Sequence, residues 1–296
     1  MIGKSLPAWQ RVREGKREQR FRSLGEKERT RFNDRVSAHR VFGAVNFDLR
    51  EVVAVKSSVE GATVNDVMLA IVSGAMRSYL QAKGELPHGS LVTGAPVNVR
   101  ADAERGTGGN MVSMMSIALR TDVADPLGRL RQVHEAAVNS KAYMNAVGAR
   151  LLTDWTNRLP AQVTALGFRA AAAAGLLSAG KPVFNTIVTN VPGPQVPLYF
   201  AGARLVRSFG AGPCVDGMGM FQVVTSYAGQ IATSFQSCRD MMPDPGIYER
   251  CLADSFAELK QAAASVSVRQ PGRKPAPKRA KRIATHGAKP RAGRKG

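Results

Sequence analysis

The chain has 296 residues, 44% of them apolar, which is enough to bury the core of one large or two modest globular domains. Its formal charge of +20 sits at the ends: residues 269–296 hold eleven Lys and Arg with no acidic residue, and residues 1–40 hold twelve basic against five acidic residues. The body between them is nearly neutral, so the charge describes appendages and not the fold, and no apolar run reaches the roughly 18–20 residues that a membrane span requires.

The first twenty residues, MIGKSLPAWQRVREGKREQR, are basic but contain no hydrophobic segment of a signal peptide. The first strong element is GATVNDVMLAIVSGAMRSYLQAKGEL. Thr63 followed by Asp66 makes a capping-box start with a carboxylate at the positive end of the helix dipole. Val64, Val67, Met68, Ile71, Val72, Ala75, Met76, Tyr79 and Leu80 then recur at helical spacing, predicting a helix over 63–82 whose apolar stripe lies against a sheet. Two β-rich runs follow, SLVTGAPVNVR and NMVSMMSIALRT, separated by the Gly-rich loop ADAERGTGG. From Asp125 to about Ser178 the pattern is helical, opening on Asp-Pro and divided near Gly148 and Pro160. Strands return at Val183–Val191 and Ala203–Phe209, and MFQVVTS and QIATSFQS form a hairpin around YAG. A last helix starts at Asp244-Pro245 with Ile247, Cys251, Leu252, Phe256 and Leu259 on one face. Strands and helices are mixed without strict alternation, so the predicted class is α/β or α+β with a mixed sheet packed by helices.

The residues themselves offer no convincing nucleophile or general base. RGTGGN lacks both the dinucleotide and the P-loop spacing and reads as a hairpin connection. His39, His88, His134 and His286 are far apart in sequence, and His134 reads as part of a solvated helix face. No G-x-S-x-G elbow is present. Cys214, Cys238 and Cys251 lack metal-ligand spacing and read as buried thiols of a reducing cytosol, so neither a metal nor a disulfide is expected.

The order of RFN, TVNDVMLAIVSGAMRSYL, GAPVNVR, GGNMVSMMSIALRTDVADPLGRL, NTIVTNVPGPQVPLYFAGARL, QVVTSYAGQIATSFQSCRD and PDP resembles the C-terminal half of the bacterial wax ester synthase/diacylglycerol acyltransferase family, over roughly residues 30–265. The resemblance implies a fold similar to chloramphenicol acetyltransferase and other CoA-dependent acyltransferases, with two α/β halves and a tunnel between them. It also implies transfer of an acyl group from acyl-CoA to diacylglycerol or a long-chain alcohol, with acyl-CoA as co-substrate and no cofactor. The family's H-H-x-x-x-D-G motif, whose second His acts as general base, does not occur in this sequence, so the chain looks like the half that does not transfer the proton.

By the same resemblance, Asn65 and Asp66 match the family's Asn-Asp motif and support the active site, while Asp66 reads equally well as an ordinary helix cap. Asn190, Pro192, Gly193 and Pro194 are expected to shape the tunnel: Asn190 bonds the backbone of the turn at the end of an interior strand, and Gly193 supplies a positive φ between two prolines. The organisation expected is a basic segment over 1–29, an acyltransferase C-terminal domain over 30–265 and a disordered basic tail over 266–296. Such a half would expose its tunnel-facing surface, which implies an N-terminal half chain or self-association.

The expected location is cytoplasmic, with peripheral attachment to an anionic membrane or lipid-body surface through the basic tail. Two alternatives stand beside the enzyme component: a non-catalytic lipid-surface-binding protein, and a basic-tailed nucleic-acid binder, the latter weakened by the absence of aromatic residues among the tail's charges. Because the tail holds too few apolar residues to join a core, removal of residues 269–296 is expected to leave the midpoint and cooperativity of thermal melting unchanged.

Overall fold

The computed structural model describes residues 28–98, 112–147 and 182–269. In chain order these form a 3-10 turn at Arg31–Asn33, β1 (Arg40–Asp48), α1 (Leu49–Lys56), α2 (Val64–Ala82), β2 (Val92–Asn98), β3 (Val112–Ala118), α3 (Pro126–Val147), β4 (Thr186–Pro192), β5 (Tyr199–Phe200), β6 (Ala203–Arg204), β7 (Met220–Tyr227), β8 (Gln230–Cys238) and α4 (Pro245–Arg269). Six strands make one sheet in the order β1-β8-β7-β4-β2-β3. β4 runs parallel to both β7 and β2, and the remaining neighbours are antiparallel. The sheet is therefore mixed and helix-packed, as expected, and β4 is an interior strand. The β2–β4 ladder is confined to Thr93 and Gly94, so Pro96, which has no N–H to give, lies beyond the stretch where β2 must serve two neighbours.

The long central helix α2 is more deeply placed than its stripe implies. Leu69, Ala70, Ser73 and Gly74, off that stripe, are buried together with Val67, Met68, Ile71, Val72, Ala75, Met76, Tyr79 and Leu80. α2 packs against α1, α3 and α4 as well as contributing to the core over the sheet, and a helix enclosed on most sides has no polar face to show. α4 buries Tyr248, Leu252, Phe256 and Leu259, with Ile247 and Cys251 at the margin, and it continues to Arg269, four residues past the predicted domain end.

Other differences have local causes. The apolar run 203–209 yields a strand of two residues only, because its later carbonyls bond to side chains: Tyr227 Oη donates to Leu205 O at 3.1 Å, and Thr225 Oγ1 donates to Ser208 O at 2.8 Å. β1 and α1 were not anticipated; Asp48 caps α1 by accepting from Arg50 N at 2.7 Å. The Gly-rich loop 101–109, the helical stretch 148–178 and the tail from 270 onward lie outside the described residues.

The start of α4 is fixed to α2 by side chains. Tyr79 Oη donates to Asp244 Oδ1 at 2.6 Å, and Lys83 Nζ pairs with Asp244 Oδ2. Burial alone would raise the Asp244 carboxyl, but the Lys83 and Tyr79 hydrogen bonds outweigh it and hold it below the usual carboxylate value. Burial and the Asp244 hydrogen bond together push the Tyr79 hydroxyl above its ordinary range. A depressed folded-state carboxylate contributes stability above its unfolded value, near 4, and loses it as pH falls through the lower folded value. Asp244→Asn should therefore cost about 1–2 kcal/mol at pH 7, and the gap between the two proteins in denaturant melts should narrow as pH falls below the ordinary carboxylate value, about 4.

Candidate functional site

The site is built where the N-terminus of α2 meets the exit of β4. Thr63 is extended, so its side chain turns back over the first helical turn and accepts from Asp66 N at 3.2 Å, while Asp66 Oδ2 accepts from Thr63 N at 2.8 Å and Thr63 Oγ1 at 2.9 Å. The capping box predicted from Thr63 and Asp66 is complete.

A third donor meets the same oxygen: His134 Nδ1 of α3 lies 2.9 Å from Asp66 Oδ2. The Asp66 side chain is only 4% exposed and that of His134 20%, so His134 faces a buried carboxylate and does not lie on a solvated helix surface as its sequence context suggested. With a carboxylate as acceptor the proton sits on Nδ1, and the other ring nitrogen is turned toward Gly61. Three donors on one oxygen supply what a buried carboxylate requires. Asp66 is thus a cap that also anchors a second helix.

One residue earlier, Asn65 Oδ1 accepts from Asn190 Nδ2 at 3.2 Å. Asn190 is exposed, and its partner is this side chain and not the backbone of the following turn. The buried amide of the stretch is instead Asn185, which precedes β4. Its Oδ1 accepts from Val92 N at 2.8 Å, and its Nδ2 donates to Glu28 O at 2.7 Å and Asn33 Oδ1 at 3.0 Å. Asn33, from RFN, completes the lock by donating to Phe184 O and Gly217 O, both at 2.9 Å. Only Asn185 carried a sequence signal, an amide within an apolar run; Asn33 lies among charged residues in RTRFNDR.

The Pro192-Gly193-Pro194 bend is fastened to the β7–β8 hairpin. Pro192 lies opposite Ser226, Gly193 N donates to Ser226 Oγ at 3.2 Å, and Ala228 N donates to Pro194 O at 3.2 Å. Gly193 does not adopt the left-handed conformation expected for it; glycine is required because a Cβ there would lie 2.2 Å from the Ser226 carbonyl oxygen. Asn65, Asp66, Asn190 and the bend are therefore one connected assembly, with His134 as a member that local sequence could not reveal.

This assembly holds chain segments in place, and the other described candidates for chemistry stand apart from it. His39 and His88 are exposed, and His286 lies outside the described residues. Among the described residues no group of three His, Cys, Asp or Glu could hold a metal. The three cysteines are free, with Cys214 and Cys238 buried and Cys251 half-buried. Burial would raise the Cys238 thiol, yet hydrogen bonds from the Ser37 hydroxyl and backbone N–H more than offset this and hold it below its ordinary value. Its complete burial keeps it from any substrate. No helix among the described residues is long and apolar enough to cross a membrane.

Residues 108–260 match the family described as the WS/DGAT C-terminal domain. Among curated proteins, the provisionally named diacylglycerol O-acyltransferase Rv1760 of Mycobacterium tuberculosis is 32% identical over 82% of this chain and 47% of its own length. Another from that organism, Rv3480c, is 35% identical over 71% of this chain and 42% of its own. Among solved structures, the wax ester synthase/diacylglycerol acyltransferase of Marinobacter aquaeolei VT8 aligns at TM-score 0.61 and 26% identity, covering 87% of this chain and 56% of that one. The epimerization domain from the third module of tyrocidine synthetase B shares the fold at TM-score 0.52 and 13% identity. The chain spans about half the length of the curated relatives it matches.

Because Asp66 and His134 share one hydrogen bond, their effects on stability should not add. Asp66→Ala is expected to cost about 1–3 kcal/mol, and denaturant melts of the two single variants and the double variant should give a coupling of roughly 0.5–3 kcal/mol. Strict additivity would mean that the pair contributes nothing jointly.

Proposed function

Since the chain belongs to the WS/DGAT family through its C-terminal domain, we propose that it supplies the C-terminal half of an acyl-CoA-dependent O-acyltransferase acting on diacylglycerol or a long-chain alcohol. The observation that carries this reading is the match to that C-terminal domain in a sequence with no H-H-x-x-x-D-G motif and no two adjacent histidines.

In the reaction so assigned, the acceptor hydroxyl attacks the thioester carbonyl, CoA leaves as its thiol, and a histidine of the family's N-terminal motif takes the hydroxyl proton. That histidine comes from a segment other than this sequence. The present chain contributes position. Asp66, held by Thr63 and His134, fixes the start of α2; Asn65 holds Asn190; and Pro192, Gly193 and Pro194 turn the chain away from the sheet to form one wall of an acyl tunnel. Val191, Val196 and Leu198, exposed around the bend, give that wall an apolar surface suited to an acyl chain. Acyl-CoA enters as co-substrate, and the basic tail supplies electrostatic attachment to an anionic lipid surface.

The test is transfer of labelled palmitoyl from palmitoyl-CoA to diacylglycerol and to hexadecanol by the purified 296-residue chain, beside a relative that carries H-H-x-x-x-D-G. The expected result is turnover by the relative and none by the chain alone. Turnover by the chain alone would overturn the division of labour and place a base within it, and loss of that turnover in His134→Ala, His39→Ala or His88→Ala would identify which.

A further inference from the structure

The six-stranded sheet ends on β1, and that edge is open. Every residue of β1 from Arg40 to Asp48 pairs with β8, and among the described residues no strand pairs with its other side. The Ala44 N–H points away from β8, because it donates to Glu249 Oε1 of α4 at 3.0 Å. Antiparallel pairing alternates, so the N–H and C=O groups of Phe42 and Asn46 point the same way. An uncovered row of this length is a template for a further strand. It holds no proline and no lysine, the residues that commonly blunt such an edge. Its guard is the Glu249 carboxylate, and Gly43 leaves room for it: a Cβ there would lie 2.7 Å from Glu249 Oε1 and 2.4 Å from Phe235 Cζ.

Along this edge lies an open groove of about 520 Å³. On one face of the sheet its wall is the start of α4, with Glu249, Arg250 and Ala253. Phe235 meets Tyr248 of α4 on that face, so its neighbour Ser234, which bonds Gly210, faces the other way. The segment that carries Arg207 therefore crosses the opposite face, where Arg207 and Asn46 complete the groove. Both arginines are exposed, and neither has an ion-pair partner among the described residues. The open edge thus has an unpaired positive charge on each side of it.

We propose that the β1 edge binds an extended acidic segment of another protein, which joins the sheet as a seventh strand. Main-chain hydrogen bonds to Phe42, Ala44 and Asn46 supply affinity, and alternate side chains supply specificity. Adjacent side chains of an added strand point to opposite faces, so two successive acidic residues meet Arg250 on one face and Arg207 on the other. An apolar residue further along covers Phe42, which is 49% exposed on the Arg207 face. A peptide carbonyl takes the place of the Glu249 carboxylate at Ala44 N, and the carboxylate returns to water.

Other occupants match the edge less well. The chain's own tail has no acidic residue from 269 to 296. A second copy paired edge to edge sets Arg207, Arg250 and Glu249 against their own kind. Hydrocarbon does not accept an open sheet edge. The edge shares no residue with the assembly of Asp66, Asn65, Asn190 and the bend, so its occupancy is read by binding and not by acyl transfer.

The experiment titrates the full chain with the fluorescein-labelled peptide Thr-Val-Thr-Glu-Asp-Val-Thr-Val and follows fluorescence anisotropy. Binding is expected, and it should weaken at least about tenfold in Arg207→Glu/Arg250→Glu, whose exposed positions leave melting unchanged. A peptide N-methylated at alternate residues loses the edge hydrogen bonds and should weaken by a similar factor. Glu249→Ala clears the Ala44 amide and should bind at least about threefold tighter. No binding overturns the proposal, as does equal binding of the N-methylated peptide or of one with two lysines in place of the acidic pair. Affinity indifferent to the two arginines or to Glu249→Ala overturns it too. So does arginine-dependent binding of inorganic phosphate, phosphatidylglycerol vesicles or duplex DNA in place of the peptide.

Discussion

One carboxylate oxygen, Asp66 Oδ2, carries more of this arrangement than any other atom. Removing a charge from water is unfavourable by several kcal/mol unless donors replace the hydration, and here the replacements come from three places: the backbone of Thr63, its hydroxyl, and the imidazole of His134 on another helix. The start of α2 is consequently specified in position as well as in hydrogen bonding. Asn65, the next residue back, is then available at a fixed place to meet Asn190 at the exit of β4. Without the buried anchor that exposed amide pair would have little reason to persist, because each side chain could satisfy itself in water.

A second set of constraints works from inside the sheet. Asn33 and Asn185 bond each other and five backbone groups, joining the 3-10 turn, the start of β4, β2 and the loop before β7. Deeper still, Tyr248 Oη donates to Gln222 Oε1 at 2.9 Å and Gln222 Nε2 donates to Thr186 Oγ1 at 3.3 Å, so a buried polar line runs from α4 across β7 to β4. Satisfied networks of this kind restrict register more than they add stability, since an alternative pairing would leave several buried groups without partners. They place β4 at the centre of the sheet with little freedom, and the bend that follows inherits that precision.

What was legible in the sequence was local. The helix over 63–82 and its capping box needed only residues three and four apart, and β4 and the β7–β8 hairpin needed only their own runs of β-branched and apolar residues. What was not legible depends on separation. His134 lies 68 residues from Asp66, and nothing in RLRQVHEAAV distinguishes a solvent-facing histidine from one turned toward a buried carboxylate. Asn185 and Asn190 differ by five positions in one apolar run, yet the first is buried and the second exposed, because only the first lies where β2 and the RFN turn close over the strand. Gly193 reads from sequence as a conformational requirement and is in fact a steric one, set by the carbonyl of Ser226 across the sheet. Residues 205–209 look like a strand because their composition is strand-like; the carbonyls of Leu205 and Ser208 instead accept from the Tyr227 and Thr225 side chains, which no pattern in 205–209 encodes.

The bend and the β5–β6 hairpin share their supports. Gly193, Gln195, Leu198 and Leu205 are all bonded to Ser226, Tyr227 or Gly229 at the β7–β8 hairpin, so a force applied at Phe200 is resisted by the same few residues that hold Pro192 to Pro194. The bend is in turn joined to α2 through Asn190 and Asn65. A displacement of the hairpin would therefore reach the bend and, through Asn190 and Asn65, the start of α2, where Asp66 is held by Thr63 and His134. The hairpin is thus stiff toward its own sheet, through Leu198 and Leu205 on Tyr227, while Tyr199 and Phe200 beyond that anchor stay exposed.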